Sequence, residues 1–319
     1  MNPATQGESV MPIKVPDNLP ALTELFAEQV DVMAQQQAAG QDIRPLRLLL
    51  LNLMPKKRDT EIQFARLFGN TPLQVEMILM TTASYTPRNT EPGYLRRFYR
   101  QLDDVRDQFF DALIVTGAPI ETLPFEDVSY WPELVEIMEW SRTHCFRRLG
   151  ICWGAQALLS HFFAVPKFEM AEKLFGVYQH RLRNVSGRLM HGFTDSFPMP
   201  ISRYTETRAA DVAAAGLDVL AEGDGCGVGM VRDPQSGDLF VLNHLEYDAE
   251  TLANEYHRDQ AEGLNTALPV GYFPDDDPAR PPVNFWRPFA FLLISNWIND
   301  LYQATPFDLT KLKNSAAGD

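Results

Sequence analysis

The run Leu46-Arg47-Leu48-Leu49-Leu50-Leu51-Asn52-Leu53 is apolar almost without interruption and has no helical period. That is the pattern of a strand covered on both faces. Next comes a helix pattern with Ile62, Ala65, Leu67 and Phe68, for which Asp59 is the candidate cap. A second strand is expected over 73–80, a helix over 94–105 and a third strand over 112–116. A helix over 131–142 then leads to a short fourth strand ending at Ile151. Strands alternating with helices over short connections predict an α/β fold, a mostly parallel sheet with helices on both faces.

Over 165–215 the alternation fails. Pro166, Pro198 and Pro200 punctuate a stretch dense in Arg, His, Ser and Gly, which reads as a polar insertion or lid. Strand patterns return at 219–222, 227–232 and 239–242, the last two joined by the turn Pro234-Gln235-Ser236-Gly237. A helix is expected over 249–261, a proline-rich crossing over 274–282 and a C-terminal helix over 289–302. The expected organisation is an N-terminal arm (1–44), one domain (45–302, with the insertion at 165–215) and a C-terminal tail (303–319).

The length, 319 residues, suits one large or two intimate domains. With 45% hydrophobic and 22% charged residues, a disordered or fibrous chain is excluded. The 28 basic and 42 acidic residues give 28 − 42 = −14, a charge that repels phosphate backbones and anionic lipid. Nucleic acid and membrane are therefore not the expected partners. The longest apolar run, 289–294, is too short to span a bilayer. No apolar core follows a basic start at the N-terminus, so no signal peptide is expected, and three cysteines fit a reduced compartment. The expected location is the cytoplasm.

The sharpest chemical feature is Leu149-Gly150-Ile151-Cys152-Trp153-Gly154-Ala155-Gln156. A cysteine stands where a strand ends and a helix begins, with glycines on both sides to relieve a tight turn. The helix N-terminus favours a thiolate there. The amide of Trp153 is then the natural oxyanion donor. Cys145 and Cys226 lack this setting and read as buried core residues. A thiol nucleophile needs a base and a group that orients it. Of six histidines only His244 directly follows a strand, and Glu246, two residues on, can leave the same strand end on the same side. The carboxyl edge of the sheet is where open α/β folds place their sites. No metal-ligand spacing and no glycine-rich dinucleotide loop is visible, so no metal and no bound cofactor are expected.

A cysteine elbow with His-x-Glu at this separation resembles the class I glutamine amidotransferase-like fold, which leaves several chemistries open. Further motifs narrow them: Met11-Pro12-Ile13-Lys14-Val15-Pro16, Asp42-Ile43-Arg44-Pro45, Leu51-Asn52-Leu53-Met54-Pro55-Lys56-Lys57, Thr116-Gly117-Ala118-Pro119, Glu172-Lys173-Leu174-Phe175-Gly176-Val177 and Tyr272-Phe273-Pro274. Together they resemble the homoserine O-acyltransferase family, also called homoserine trans-succinylase, from about Met11 to the last helix. The resemblance implies acyl transfer from acyl-CoA to the hydroxyl of L-homoserine in methionine biosynthesis, with small-molecule substrates and a homodimeric assembly. It assigns Cys152 as the acyl-thioester cysteine, His244 as general base and Glu246 as the carboxylate behind it. Lys173, Ser202 and Arg258 match substrate contacts, Arg258 suiting a carboxylate through its two-pronged guanidinium. Asn243-His244-Leu245-Glu246 departs from the family's more frequent Gly-His-Pro-Glu, and Arg287-Pro288-Phe289 from Arg-Ser-His.

The same resemblance makes Glu121 the acyl-donor determinant, since acetyl-CoA users carry Glu at this position and succinyl-CoA users Gly. The expectation is acetyl-CoA as co-substrate. Succinyl-CoA as donor and L-serine as acceptor are the near alternatives. A glutamine amidotransferase, a γ-glutamyl hydrolase or a non-catalytic module of the same fold are the distant ones.

Overall fold

A computed structural model describes residues 13–16, 19–27, 32–34, 44–85, 90–183 and 188–312. In chain order the first half holds β1 (Ile13–Val15), α1 (Leu22–Ala27), β2 (Val32–Ala34), β3 (Leu46–Leu51), α2 (Lys57–Phe68), β4 (Val75–Met80), α3 (Pro92–Phe98), β5 (Tyr99–Arg100), α4 (Leu102–Val105), β6 (Phe110–Val115) and α5 (Trp131–His144). The second half holds β7 (Cys145–Ile151), α6 (Trp153–Phe163), β8 (Phe168–Leu182), β9 (Ser196–Glu206), α7 (Ala209–Ala214), β10 (Asp218–Gly223), β11 (Gly227–Arg232), β12 (Leu239–Val241), α8 (Thr251–Ala261) and α9 (Arg287–Ala304). One sheet runs in the order β2-β1-β4-β3-β6-β7-β12-β11-β10-β8-β9, with β5 also on β4. Neighbours from β2 to β12 are parallel and those from β12 to β9 antiparallel.

The leucine run behaves as its pattern requires. Leu46, Leu48 and Leu50 enter one core with Phe64 and Phe68 of α2 and Trp297 and Leu301 of α9. Leu49 and Leu51 enter the other, with Leu134 and Met138 of α5 and Leu158 and Leu159 of α6. Two apolar faces force helices onto both sides of the sheet. The carboxyl ends of β3, β6, β7 and β12 thereby come to one edge, through the pairs Leu51↔Val115, Val115↔Gly150 and Ile151↔Val241.

Several expectations need correction. Residues 165–215 are not a lid: they supply β8 and β9, of 15 and 11 residues, the two longest strands among the described residues. Phe197, Met199 and Ile201 of β9 are fully buried in the core. Pro198 and Pro200 are tolerated because β9 pairs only with β8, so alternate N–H groups have no ladder partner to lose. The segment expected as an arm contributes β1 and β2, which extend the parallel sheet beyond β4.

The single helix expected over 94–105 is broken at Tyr99. There the chain turns extended to pair with Leu79, and the buried Tyr99 hydroxyl donates to Glu61. Asp59 is not a cap: α2 starts two residues earlier, and Asp59 lies in its acidic first turn. Met11, Pro12, Asp42 and Ile43 of the family-like motifs lie outside the described residues, as do 313–319 of the tail.

Candidate active site

Cys152 stands between β7 and α6 with φ 49° and ψ −116°, a left-handed conformation that a non-glycine residue adopts only under constraint. Its amide donates to Val241 O of β12 at 2.7 Å, and its carbonyl accepts from Gln156 N at 3.1 Å. Glycine is required on both sides. A Cβ at Gly150 would meet Ala155 Cα at 2.5 Å, and one at Gly154 would meet Val115 O at 2.4 Å. Strand, cysteine and helix can approach this closely only without those side chains. The Trp153 indole is locked in an aromatic cluster with Phe125, Tyr130 and Trp131 at centroid distances of 5.8, 6.2 and 6.4 Å. This fixes the first turn of α6 and with it the Trp153 amide.

His244 follows β12, and its amide donates to Pro200 O of β9 at 2.9 Å. Its Nδ1 meets Glu246 Oε1 at 2.6 Å, which leaves Nε2 to serve the Cys152 thiol, the other hydrogen-bond partner of the ring. Burial works against a charge on this imidazole. The Cys152 sulfur and the Glu246 carboxylate overcome it and raise the pKa of His244 well above its ordinary value. The floor between Cys152 and His244 is Gly117, where a Cβ would touch Cys152 Cβ and His244 Cε1, each at 3.4 Å. The ring of Tyr247 stacks on His244 at 4.1 Å and 12°. Arg203, buried among β-strand neighbours, adds a guanidinium whose charge acts on Cys152.

A second cluster lies beside the first. Lys173 Nζ, over the Phe175 ring at 4.2 Å, meets Glu255 Oε1 at 2.6 Å and Asp259 Oδ2 at 3.5 Å. Ser202 Oγ donates to the same Glu255 oxygen at 2.8 Å. Arg258 points both Nε and Nη2 at Asp259 Oδ1, at 3.0 and 2.5 Å, and its Nη2 lies 3.9 Å from Glu255. Three residues far apart in sequence are thus gathered on two carboxylates of α8. The sequence reading missed Glu255. Its signal was the helical spacing of Glu255, Arg258 and Asp259, which puts all three on one face. Glu121 sits half-buried in the turn after β6, and its charge acts on the Tyr247 hydroxyl. Lys167 donates to the carbonyls of Glu121 and Leu123 and straps that turn.

Cys145 and Cys226 are buried and free, as expected of core residues. Burial pushes the Cys145 thiol up, and it pushes the Cys226 thiol up to about 11. Among the described residues no helix is long and apolar enough to cross a membrane.

The parallel sheet with a strand–cysteine–helix elbow and a histidine from the adjoining strand places the protein in the class I glutamine amidotransferase-like fold class. A glutamine amidotransferase from Thermotoga maritima superposes with a TM-score of 0.55 at 11% identity, covering 82% of this chain and 100% of that one. One from Methylobacillus flagellatus gives 0.51 at 13% identity, covering 84% and 99%. At such identities the likeness is one of fold alone. The chain belongs to the homoserine O-succinyltransferase family, whose model matches residues 12–307. It is 47% identical over 303 residues to a homoserine O-acetyltransferase of Rhizobium johnstonii, covering 95% of this chain and 99% of the relative. It is 48% identical over 302 residues to a homoserine O-succinyltransferase of Pelagibacterium halotolerans, covering 95% and 98%.

Proposed function

We propose that the protein transfers an acetyl group from acetyl-CoA to the hydroxyl of L-homoserine through a thioester on Cys152. The observation that carries this reading is the buried Cys152–His244–Glu246 line at the carboxyl edge of the sheet, in a chain of this family. The Cys152 thiolate attacks the thioester carbonyl, the Trp153 amide steadies the oxyanion, and coenzyme A leaves with the His244 proton. His244, now neutral, takes the proton of the acceptor hydroxyl. The acceptor oxygen attacks the acyl carbon, and the Cys152–acyl bond breaks to restore thiolate and imidazolium. The charge cluster of Lys173, Ser202, Glu255 and Arg258 suits an amino acid, Arg258 and Lys173 facing its carboxylate and Glu255 its ammonium. A homodimer in the cytoplasm is the form in which we expect it to act.

Two features favour acetyl over succinyl. Glu121 is half-buried, and its charge acts on Tyr247, the residue stacked on the base. A second carboxylate about 4 Å from it would cost roughly 4 kcal/mol at an effective dielectric near 20. Homologues of equal similarity bear both names, so the donor needs direct measurement. Labelled acetyl-CoA should leave its label on the Cys152 peptide of the quenched enzyme, and homoserine should discharge it. Glutamine consumption without such labelling would favour amide hydrolysis and defeat the proposal. Glu121→Gly should raise relative use of succinyl-CoA at least about tenfold. A wild type that already prefers succinyl-CoA would refute the donor assignment alone.

A further inference from the structure

Tyr247 belongs to neither charge cluster but is held between them. Its ring lies flat on the His244 imidazole at 4.1 Å. Its backbone carbonyl is clamped by Trp286 Nε1 at 2.9 Å and Asn284 Nδ2 at 3.2 Å, so the residue has little room to move. The charges of Glu255, Glu246, Cys152 and Glu121 all act on its hydroxyl. Buried phenols ordinarily find a hydrogen-bond partner. This hydroxyl makes none with the described residues, although the residue is only 7% exposed. Nor is it among the sealed, unpaired polar atoms such as Trp153 Nε1 and Asn243 Oδ1, so it is not wholly closed off from solvent. Burial and the surrounding carboxylates hold the phenol well above its ordinary pKa, so it stays protonated and offers an O–H rather than a base.

We infer that Tyr247 contacts substrate in the second half-reaction: its hydroxyl hydrogen-bonds the acceptor amino acid in the gap between Glu255 and Cys152 and orients the attacking oxygen toward the acyl carbon. The ring has a separate task, keeping the imidazole plane fixed while the proton moves. This inference deepens the acyl-transfer reading and rests on it.

Tyr247→Phe separates the two tasks, since it keeps the stacked ring and deletes the hydroxyl. Rapid-quench kinetics resolve acyl-enzyme formation from acetyl-CoA and its discharge by homoserine. The phenylalanine variant should form acyl-enzyme at a rate within about twofold of wild type. Its kcat/KM for homoserine should fall at least about tenfold, the effect of one lost hydrogen bond to a charged substrate. Tyr247→Leu, which also loses the stack, should slow acyl-enzyme formation as well and alter its pH profile. An unchanged homoserine constant in Tyr247→Phe, or equal losses in both half-reactions, would overturn the inference while leaving acyl transfer standing. A wild type that forms no acyl-enzyme would overturn the underlying reading and this inference with it.

Discussion

His244 is fully enclosed, and enclosure by itself disfavours its imidazolium form. The sulfur of Cys152 and the carboxylate of Glu246 reverse that preference and raise its pKa above the ordinary value. A group whose folded pKa lies above its unfolded one adds stability that is complete below the unfolded pKa and is lost as pH rises through the folded one. Cys152→Ala removes the largest of the influences that raise it. In that variant the His244 imidazole should titrate lower than in wild type by NMR, and less stability should be lost on the alkaline side. Identical titration curves would show that the thiol does not hold the proton. Cys152 itself was legible in the sequence because its requirements are local: a strand end, two glycines and a helix start. Glu255 was not, because its role is set by Lys173 and Ser202, which only folding brings to it.

Elements hold Cys152 through packing at its two flanking glycines. Gly154→Ala drives a methyl into the Val115 carbonyl and pushes α6 off β6. Overpacking of this kind costs about 1–3 kcal/mol. The Cys152 thiol should also leave the line to His244. Activity should therefore fall by far more than the loss of folded protein, as thermal melts beside acylation rates would reveal; proportionate losses would argue against a rigid elbow. Strands β8 and β9 show the limit of reading elements one by one. Proline and scattered charge in 165–215 hid the strand β9, in which Phe197, Met199 and Ile201 are fully buried and Pro198 and Pro200 between them are buried too. What makes this stretch a strand is its position at the edge of the sheet, a property of the assembled sheet.

At the scale of the whole molecule, an internal histidine ties the appended strands to the active-site loop. His180 of β8 is fully buried, with Nδ1 donating to Tyr178 O at 3.0 Å and Nε2 facing Asn243 Nδ2 at 2.9 Å. Burial lowers its pKa to about 4. Because the unfolded chain takes up this proton first, near pH 6.5, stability is complete above that value. It falls as the pH drops toward 4, by up to about 3 kcal/mol. Urea midpoints at pH 7 and pH 4.5 should diverge less in His180→Gln than in wild type. Equal divergence would place the acid sensitivity elsewhere. The sequence by itself determined the alternating α/β order, the two-faced leucine strand, the cysteine elbow and the His-x-Glu pair. Each of these follows from hydrophobic period, turn sterics or side-chain spacing within a few neighbouring residues. Tertiary structure alone decided that β8 and β9 complete the sheet and that α8 turns Glu255 toward Lys173 and Ser202 and Asp259 toward Lys173. Those contacts depend on which strand becomes an edge and which helix face meets it, and chain closure over long separations sets both.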